Sequence, residues 1–248
     1  MDLGLESRVA LVMGASRGIG RGIAAALARE GARVAISSRS EGRLAEAAIE
    51  GEVVPFAADT SDLERIGELP GEVAREVGPI EVLVLNTGGP PPGAALENSP
   101  QEWEKAFRSL VLAPRALVEA VLPGMRERGW GRIVNVSSSS IREPIPSLTL
   151  SNANRMAALG LLETLASEVA ADGVTVNTVA TGMIATDRLR SMHGSLEDAQ
   201  QAARERVPAG RLGTPEEYGD LVAFLCSERA AYLTGAVIPL DGGLLRSV

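Results

Sequence analysis

Val9-Ala10-Leu11-Val12-Met13, followed at once by Gly14-Ala15-Ser16-Arg17-Gly18-Ile19-Gly20, decides the fold. The first five residues form an unbroken apolar run of strand length, as expected of a strand buried on both faces. The glycines then allow a tight turn and a close approach of backbone to a ligand, and Ile19 to Arg29 repeats small and apolar residues at helical spacing. A helix that opens on such a turn offers unpaired N–H groups and a partial positive charge, which together suit a pyrophosphate. Gly14, Ser16, Arg17, Gly18, Ile19 and Gly20 are therefore the candidate phosphate-side residues.

The same pattern continues outward. Gly31 ends the helix, and Arg33 to Ser37 reads as a second buried strand that completes a parallel crossover unit. Further strands are expected near Val53 to Ala57, Val82 to Leu85, Arg132 to Val136, Thr175 to Val179 and Ala236 to Pro239, with helices between most of them. About seven strands alternating with helices predict a single α/β domain over residues 1–248, a doubly wound parallel sheet with helices on both faces. Two helices are expected to be long, roughly Pro100 to Arg128 and Ser151 to Ala171. Leu110, Val111, Leu112, Leu117 and Val118 give the first of these more than one apolar face. That points to a homo-oligomer, a dimer or tetramer, with a thick core inside one chain as the competing account.

Composition narrows the function classes. With 45% hydrophobic and 23% charged residues in 248, the chain can bury a core without disulfides or metals, and no metal site is expected. A formal charge of -8 and a pI of about 4.9 argue against a nucleic-acid surface, which needs a concentrated basic face. No apolar run reaches the roughly 18 residues of a membrane span, so no membrane association is expected. Met1 to Arg8 carries Asp2 and Glu6 where a secretory signal has a basic start, which leads to the expectation of a cytoplasmic protein. Cys226, the sole cysteine, closes the apolar stretch Leu221 to Cys226 and reads as a buried helix residue rather than a reactive thiol.

The end of the second strand should choose the dinucleotide, because a carboxylate there would accept hydrogen bonds from ribose hydroxyls. This chain has Ser37, Ser38, Arg39 and Ser40 instead, and its nearest acid, Glu41, lies beyond the strand. Arg39 and Arg17 can both donate to a 2′-phosphate, so NADP(H) is favoured over NAD(H), with Ser38 and Arg39 among the binding residues. The plain alternative is that both arginines are solvated surface residues.

On these residues the chain resembles the short-chain dehydrogenase/reductase family and, within it, the 3-oxoacyl-acyl-carrier-protein reductases, over nearly its whole length. The resemblance implies a Rossmann-type fold. It places Asp59, with Thr60 beside it, against adenine, and sets Asn86-Thr87-Gly88-Gly89 after the fourth strand where the family carries Asn-Asn-Ala-Gly. Ser137 and Ser138 follow Ile133-Val134-Asn135-Val136 as the family's strand and catalytic serine do. Thr175-Val176-Asn177, Gly182, Thr186, Pro208 to Glu217 and Asp241-Gly242-Gly243 match further landmarks, Gly182 on the cofactor side.

Such proteins reduce a carbonyl by hydride transfer from nicotinamide. A tyrosine gives the proton, a lysine four residues on lowers its pKa, a serine orients the carbonyl, and an asparagine on the preceding long helix holds a water relay. At the family spacing from Ser138, the tyrosine place is Ser151, the lysine place Arg155 and the asparagine place Leu110. No realignment restores the pair, since the chain's tyrosines are Tyr218 and Tyr232 and its lysine is Lys105.

A serine hydroxyl is a far weaker acid than a phenol, whose ordinary pKa is about 10, so Ser151 is a poor proton donor near neutrality. Arg155 keeps a charge that can hold the cofactor ribose and a developing alkoxide, but a guanidinium does not serve as an acid. For an enzyme, the reading is Ser138 as carbonyl donor, Arg155 as cofactor and alkoxide partner, and water as proton source.

Other candidates are His193, in a lid-like segment over about 185–210, with a solvent-exposed histidine as the simpler account. Arg142 and Arg188 are candidates for an acidic substrate, against ordinary surface arginines. The run Gly88 to Gly93, with Pro90, Pro91 and Pro92, is either a stiff wall of the pocket or a rigid connector. Two functional readings stay open. One is an NADP(H)-dependent oxidoreductase acting on a small or acyl-type carbonyl or secondary alcohol by a non-standard proton route. The other is a cofactor-binding, catalytically impaired protein serving as a sensor or assembly partner.

Overall fold

The computed structural model describes residues 1–247. One seven-stranded sheet, every pairing parallel, runs in the order β3-β2-β1-β4-β5-β6-β7. Its strands are β1 (Val9–Val12), β2 (Arg33–Ser38), β3 (Val53–Ala57), β4 (Val82–Leu85), β5 (Gly131–Val136), β6 (Val174–Thr181) and β7 (Val237–Leu240). All seven strands fall where the apolar runs put them, β3 and β4 with the expected bounds and the others with ends shifted by at most two residues. The first crossover helix is α1 (Gly18–Arg29), followed by α2 (Glu41–Ala45), α3 (Leu63–Glu76), α4 (Pro100–Phe107), α5 (Ala113–Arg128) and α6 (Thr149–Val169). Between β6 and β7 stand α7 (Asp187–His193), α8 (Leu196–Arg206) and α9 (Pro215–Leu225).

Successive strand residues point to opposite faces, and each face has its own core. Val12, Val34, Val84 and Val134 pack with Ile23 and Leu27 of α1 and Tyr218 and Val222 of α9. Leu11, Leu83, Ile133 and Val176 pack with Ile66 of α3, Leu117 of α5 and Leu162 of α6. Parallel strands buried on both sides explain why the sequence shows continuous apolar runs instead of alternation. Cys226 is fully buried beyond α9, and its thiol is pushed up to about 12 by burial.

One expectation needs correction. The helix expected from Pro100 to Arg128 is interrupted at Arg108–Leu112 by a π-helical turn, in which Ala113 donates to the carbonyl of Arg108. Pro114 has no N–H for the carbonyl of Leu110, four residues back, so regular α-helical bonding fails there. The apolar residues on several faces are also taken up within the chain. Leu110 and Val111 pack with Ala158 of α6, while Leu117 and Val118 enter the core beneath α5. Leu110, Val111, Leu117 and Val118 are thus buried within one chain, while Leu112 is half-buried.

The order of connections reverses between β1, whose crossover leads to β2, and β4, which lies on its other side. Loops leaving the carboxyl ends of neighbouring strands diverge at such a point and open a crevice.

Candidate active site

Two adjoining clefts occupy that crevice, of about 500 Å³ and about 560 Å³, and both are lined by Gly14, Arg17, Arg39, Asn86, Gly88 and Gly89. Their shared floor is the turn after β1. Gly14 has φ +59, in the left-handed region open to glycine, and a Cβ there would come within 2.6 Å of the Asn86 carbonyl oxygen. Asn86 donates from Nδ2 to the Gly14 carbonyl at 3.1 Å, and Ala15 donates to the Ser37 carbonyl at 2.9 Å, so the turn is tied to the ends of β4 and β2. Arg17 caps α1 in extended conformation with no side-chain hydrogen bond to the first-turn amides. Those N–H groups at Gly18, Ile19 and Gly20 open on the second cleft, the geometry that suits an anion.

The first cleft continues over Ser16, Ser38, Arg39, Ser40, Arg43, Asp59 and Thr60. Asp59 uses one carboxylate oxygen to accept from Ser61 N (2.9 Å) and Ser61 Oγ (3.0 Å), which shapes the turn after β3. Arg39 is exposed and has no ion-pair partner among the described residues. Arg17 differs: its Nη1 lies 2.9 Å from Asp187 Oδ2, so it reaches across to α7. The structure thus separates two arginines that the sequence grouped. It adds Arg43, one turn along α2 from Ser40, whose hydroxyl caps that helix at Arg43 N. The signal was available in the helical spacing from Ser40.

Ser137, Ser138, Ser151, Arg155, Thr87 and Gly182 line the second cleft. Ser138 Oγ accepts from Ser140 N at 3.1 Å, holding a short 3₁₀ turn, with its own proton left to donate. Ser137 Oγ is buried and has no hydrogen-bond partner. Ser151 is buried in the first turn of α6, and the half-buried Arg155 follows one turn later. Arg155 donates from Nη1 to the Val136 carbonyl at 2.9 Å and from Nε to Ser151 Oγ at 3.2 Å. Withdrawal from water, followed by repulsion from Arg188, pushes Arg155 down to about 10, so the guanidinium stays charged at neutral pH.

Neither tyrosine lines either cleft. Tyr218 is fully buried beneath α9, shares a 2.8 Å hydrogen bond with Thr181 Oγ1, and its phenol is held well above its ordinary range by burial. Tyr232 is fully exposed. Lys105 lines the first cleft from α4, as does Leu110 from the π-helical turn. His193 is half-buried in the wall of the second cleft rather than solvent-exposed, and Arg188 and Arg206 line the same wall. Arg142 is exposed and lines neither cleft. Pro90 and Pro91 do wall the first. Among the described residues no group of His, Cys, Asp and Glu could hold a metal ion, and no helix is long and apolar enough to cross a membrane.

A family profile described as Enoyl-(Acyl carrier protein) reductase matches residues 14–245. The chain is 36% identical over 244 residues to 3-oxoacyl-[acyl-carrier-protein] reductase FabG of Vibrio harveyi, covering 98% of this chain and 99% of that protein. It is 35% identical over 245 residues to human Dehydrogenase/reductase SDR family member 4, covering 96% and 88% respectively. Among solved structures it is similar to L-sorbose reductase from Gluconobacter frateurii complexed with NADPH and L-sorbose, with a TM-score of 0.94, 32% identity and full coverage of both chains.

Proposed function

The chain belongs to the short-chain dehydrogenase/reductase family, and from that premise we propose that it is an NADP(H)-dependent oxidoreductase that interconverts a carbonyl and a secondary alcohol without a phenolic proton donor. The observation that carries the reading is Arg155, a guanidinium held by two hydrogen bonds in the wall of the cleft that Ser138 also lines, with no carboxylate paired to it among the described residues. The NADPH bound in the related sorbose reductase supports the choice of cofactor, as does the exposed Arg39 at the end of β2.

The residues present fit that group. Gly14, Gly18, Ile19 and Gly20 would hold its pyrophosphate, with Ser16 and Arg17 beside them. Ser38, Arg39 and Arg43 would hold its 2′-phosphate, Asp59 and Thr60 its adenine, and Asn86, Thr87, Gly88 and Gly182 its nicotinamide side. When bound, the dinucleotide supplies or accepts the hydride. Ser138 donates to the carbonyl oxygen, and Arg155 stabilises the negative charge that grows there while orienting the ribose. Ser151 accepts from Arg155 and fixes its direction. The proton is assigned to water, because the side chains given to the carbonyl, the hydroxyls of Ser138 and Ser151 and the guanidinium of Arg155, are not acids suited to neutral pH. Loss of a positioned acid typically forfeits about a hundred- to ten-thousand-fold in rate, so turnover is slow. Residues 185–210, with α7 and α8, close over the substrate. A homo-oligomer belongs to the proposal through the exposed Phe107, Met156 and Leu161, and light scattering tests it.

A second reading, cofactor binding without turnover, draws on the absence of any phenol from the walls of both clefts. Titration with NADPH and NADH by cofactor fluorescence tests both readings. Tighter NADPH binding, weakened by Arg39→Ala, supports the first when NADPH oxidation accompanies it and the second when no carbonyl is reduced. Failure to bind either nucleotide overturns both.

A further inference from the structure

The wall of the second cleft carries Arg155, Arg188 and Arg206, and among the described residues none of the three pairs with a carboxylate. The one carboxylate of that wall among the described residues, Asp187, is already engaged by Arg17 at 2.9 Å and Arg190 at 2.8 Å. Arg188 leans from α7 onto the loop after β4, where a Cβ on Gly89 would overlap its guanidinium, and donates to the Pro90 carbonyl at 3.4 Å. Arg155 and Arg188 are close enough to repel, and loss of hydration weighs on both. Two cations drawn together with no counter-charge cost stability unless a ligand anion completes them.

The cations that would hold that anion, Arg155 and Arg188, differ from the groups given above to the cofactor phosphates. Gly14, Arg17 and Arg39 front both clefts, and the N–H groups of Gly18, Ile19 and Gly20 given to the pyrophosphate open on the second, whose wall continues over Ser137, Ile145, Leu148, Arg155, Met183 and Arg188. Ser137 Oγ, buried without a partner, adds an unused donor in that wall, and Ile145, Leu148 and Met183 give it an apolar side. We propose that the substrate is an oxo acid, or the matching hydroxy acid, whose carboxylate sits between Arg155 and Arg188 and whose apolar chain lies against Ile145, Leu148 and Met183. This rests on the oxidoreductase reading above. In the reducing direction the carbonyl carbon gains hydride from NADPH, its oxygen gains a proton from water, NADP⁺ is released, and the carboxylate is unchanged. A carboxylate on a guanidinium forms a two-point, charge-assisted contact that an ester cannot reproduce.

The test is calorimetry on full-length protein saturated with NADP⁺, where no turnover intervenes, titrated with 2-oxohexanoate, 3-oxohexanoate and their methyl esters. At least one acid is expected to bind tenfold or more tightly than its ester. Arg188→Gln should remove that preference, Arg188→Lys should restore part of it, and Arg190→Ala, on the same helix but paired with Asp187, should retain it. Equal binding of acids and esters to a protein that binds NADP⁺ normally overturns this inference alone. A parallel loss of NADP⁺ and acid affinity in Arg188→Gln also overturns it, because the cations would then serve the cofactor. A wild-type protein that binds no NADP⁺ overturns the oxidoreductase reading and this inference with it.

Discussion

Arg155 donates to the hydroxyl oxygen of Ser151 across one turn of α6, Nε to Oγ 3.2 Å, and so couples the two positions that the family resemblance aligns with its tyrosine and lysine. The pair preserves a cation and a hydroxyl in the cleft but leaves out the acidity that a phenol would bring. Replacing both by the family residues, Ser151→Tyr with Arg155→Lys, should raise carbonyl reduction by about a hundredfold or more if the rest of the cleft is competent. Single-turnover oxidation of bound NADPH reads the change, and no gain would favour the non-catalytic reading.

The charge on Arg155 sets a pH limit. Burial and Arg188 lower its pKa to about 10, so the charged form dominates below that value and is lost as pH rises through it. Reduction by the wild-type protein should therefore fall as pH approaches 10, with no break near neutrality attributable to this group. The Ser151→Tyr, Arg155→Lys variant should add a new titration from the phenol. A kcat/KM profile from pH 6 to 10.5 compares the two.

Tyr218 is the one phenol near Arg155, yet it is sealed beneath α9 on Thr181. Tyr218→Phe should cost about 0.5–1.5 kcal/mol in urea unfolding by leaving Thr181 without its partner. NADPH oxidation should change by less than threefold. A hundredfold loss would make this phenol the hidden proton source and would overturn the water route.

Helices α1 and α9 meet at glycine. A Cβ on Gly22 would overlap the Pro215 carbonyl, and one on Gly219 would overlap the Gly22 carbonyl. Gly22→Ala should destabilise the protein by about 1–3 kcal/mol, because backbone rather than a flexible side chain must give way. Since α1 also carries the phosphate-side turn, NADPH affinity should fall with it, as paired melting and fluorescence titrations would detect.

The start of α9 is a capping box in which Glu217 accepts from Thr214 N and pairs with Arg211. These contacts, the Arg211 hydrogen bond first, hold Glu217 at about 2, below its unfolded value. The stability it contributes is present above the ordinary glutamate range and is lost as pH falls toward 2. Glu217→Gln should flatten the acid limb of a stability curve between pH 5 and 2. The effect is modest because the pair is exposed to solvent.

The sequence by itself determined the parallel sheet, the order of strand and helix, the glycine turn and the lack of any Tyr-x-x-x-Lys arrangement in the chain. Each of these depends on residues a few places apart: strands buried on both faces need short apolar runs, turns need glycine, and helical neighbours recur every three or four residues. Tertiary structure alone decided where the cations went. Arg17 meets Asp187, 170 residues away, whereas Arg39 and Arg43 line the first cleft with no ion-pair partner among the described residues. Arg188 enters the cleft wall while Arg142 does not, and Tyr218 is buried out of reach of the site. The π-helical turn at Leu110 and the absorption of the surrounding apolar residues into one chain's core were likewise settled by packing. Long charged side chains choose partners by the distance between elements that the fold brings together, and no local spacing in the chain encodes that distance.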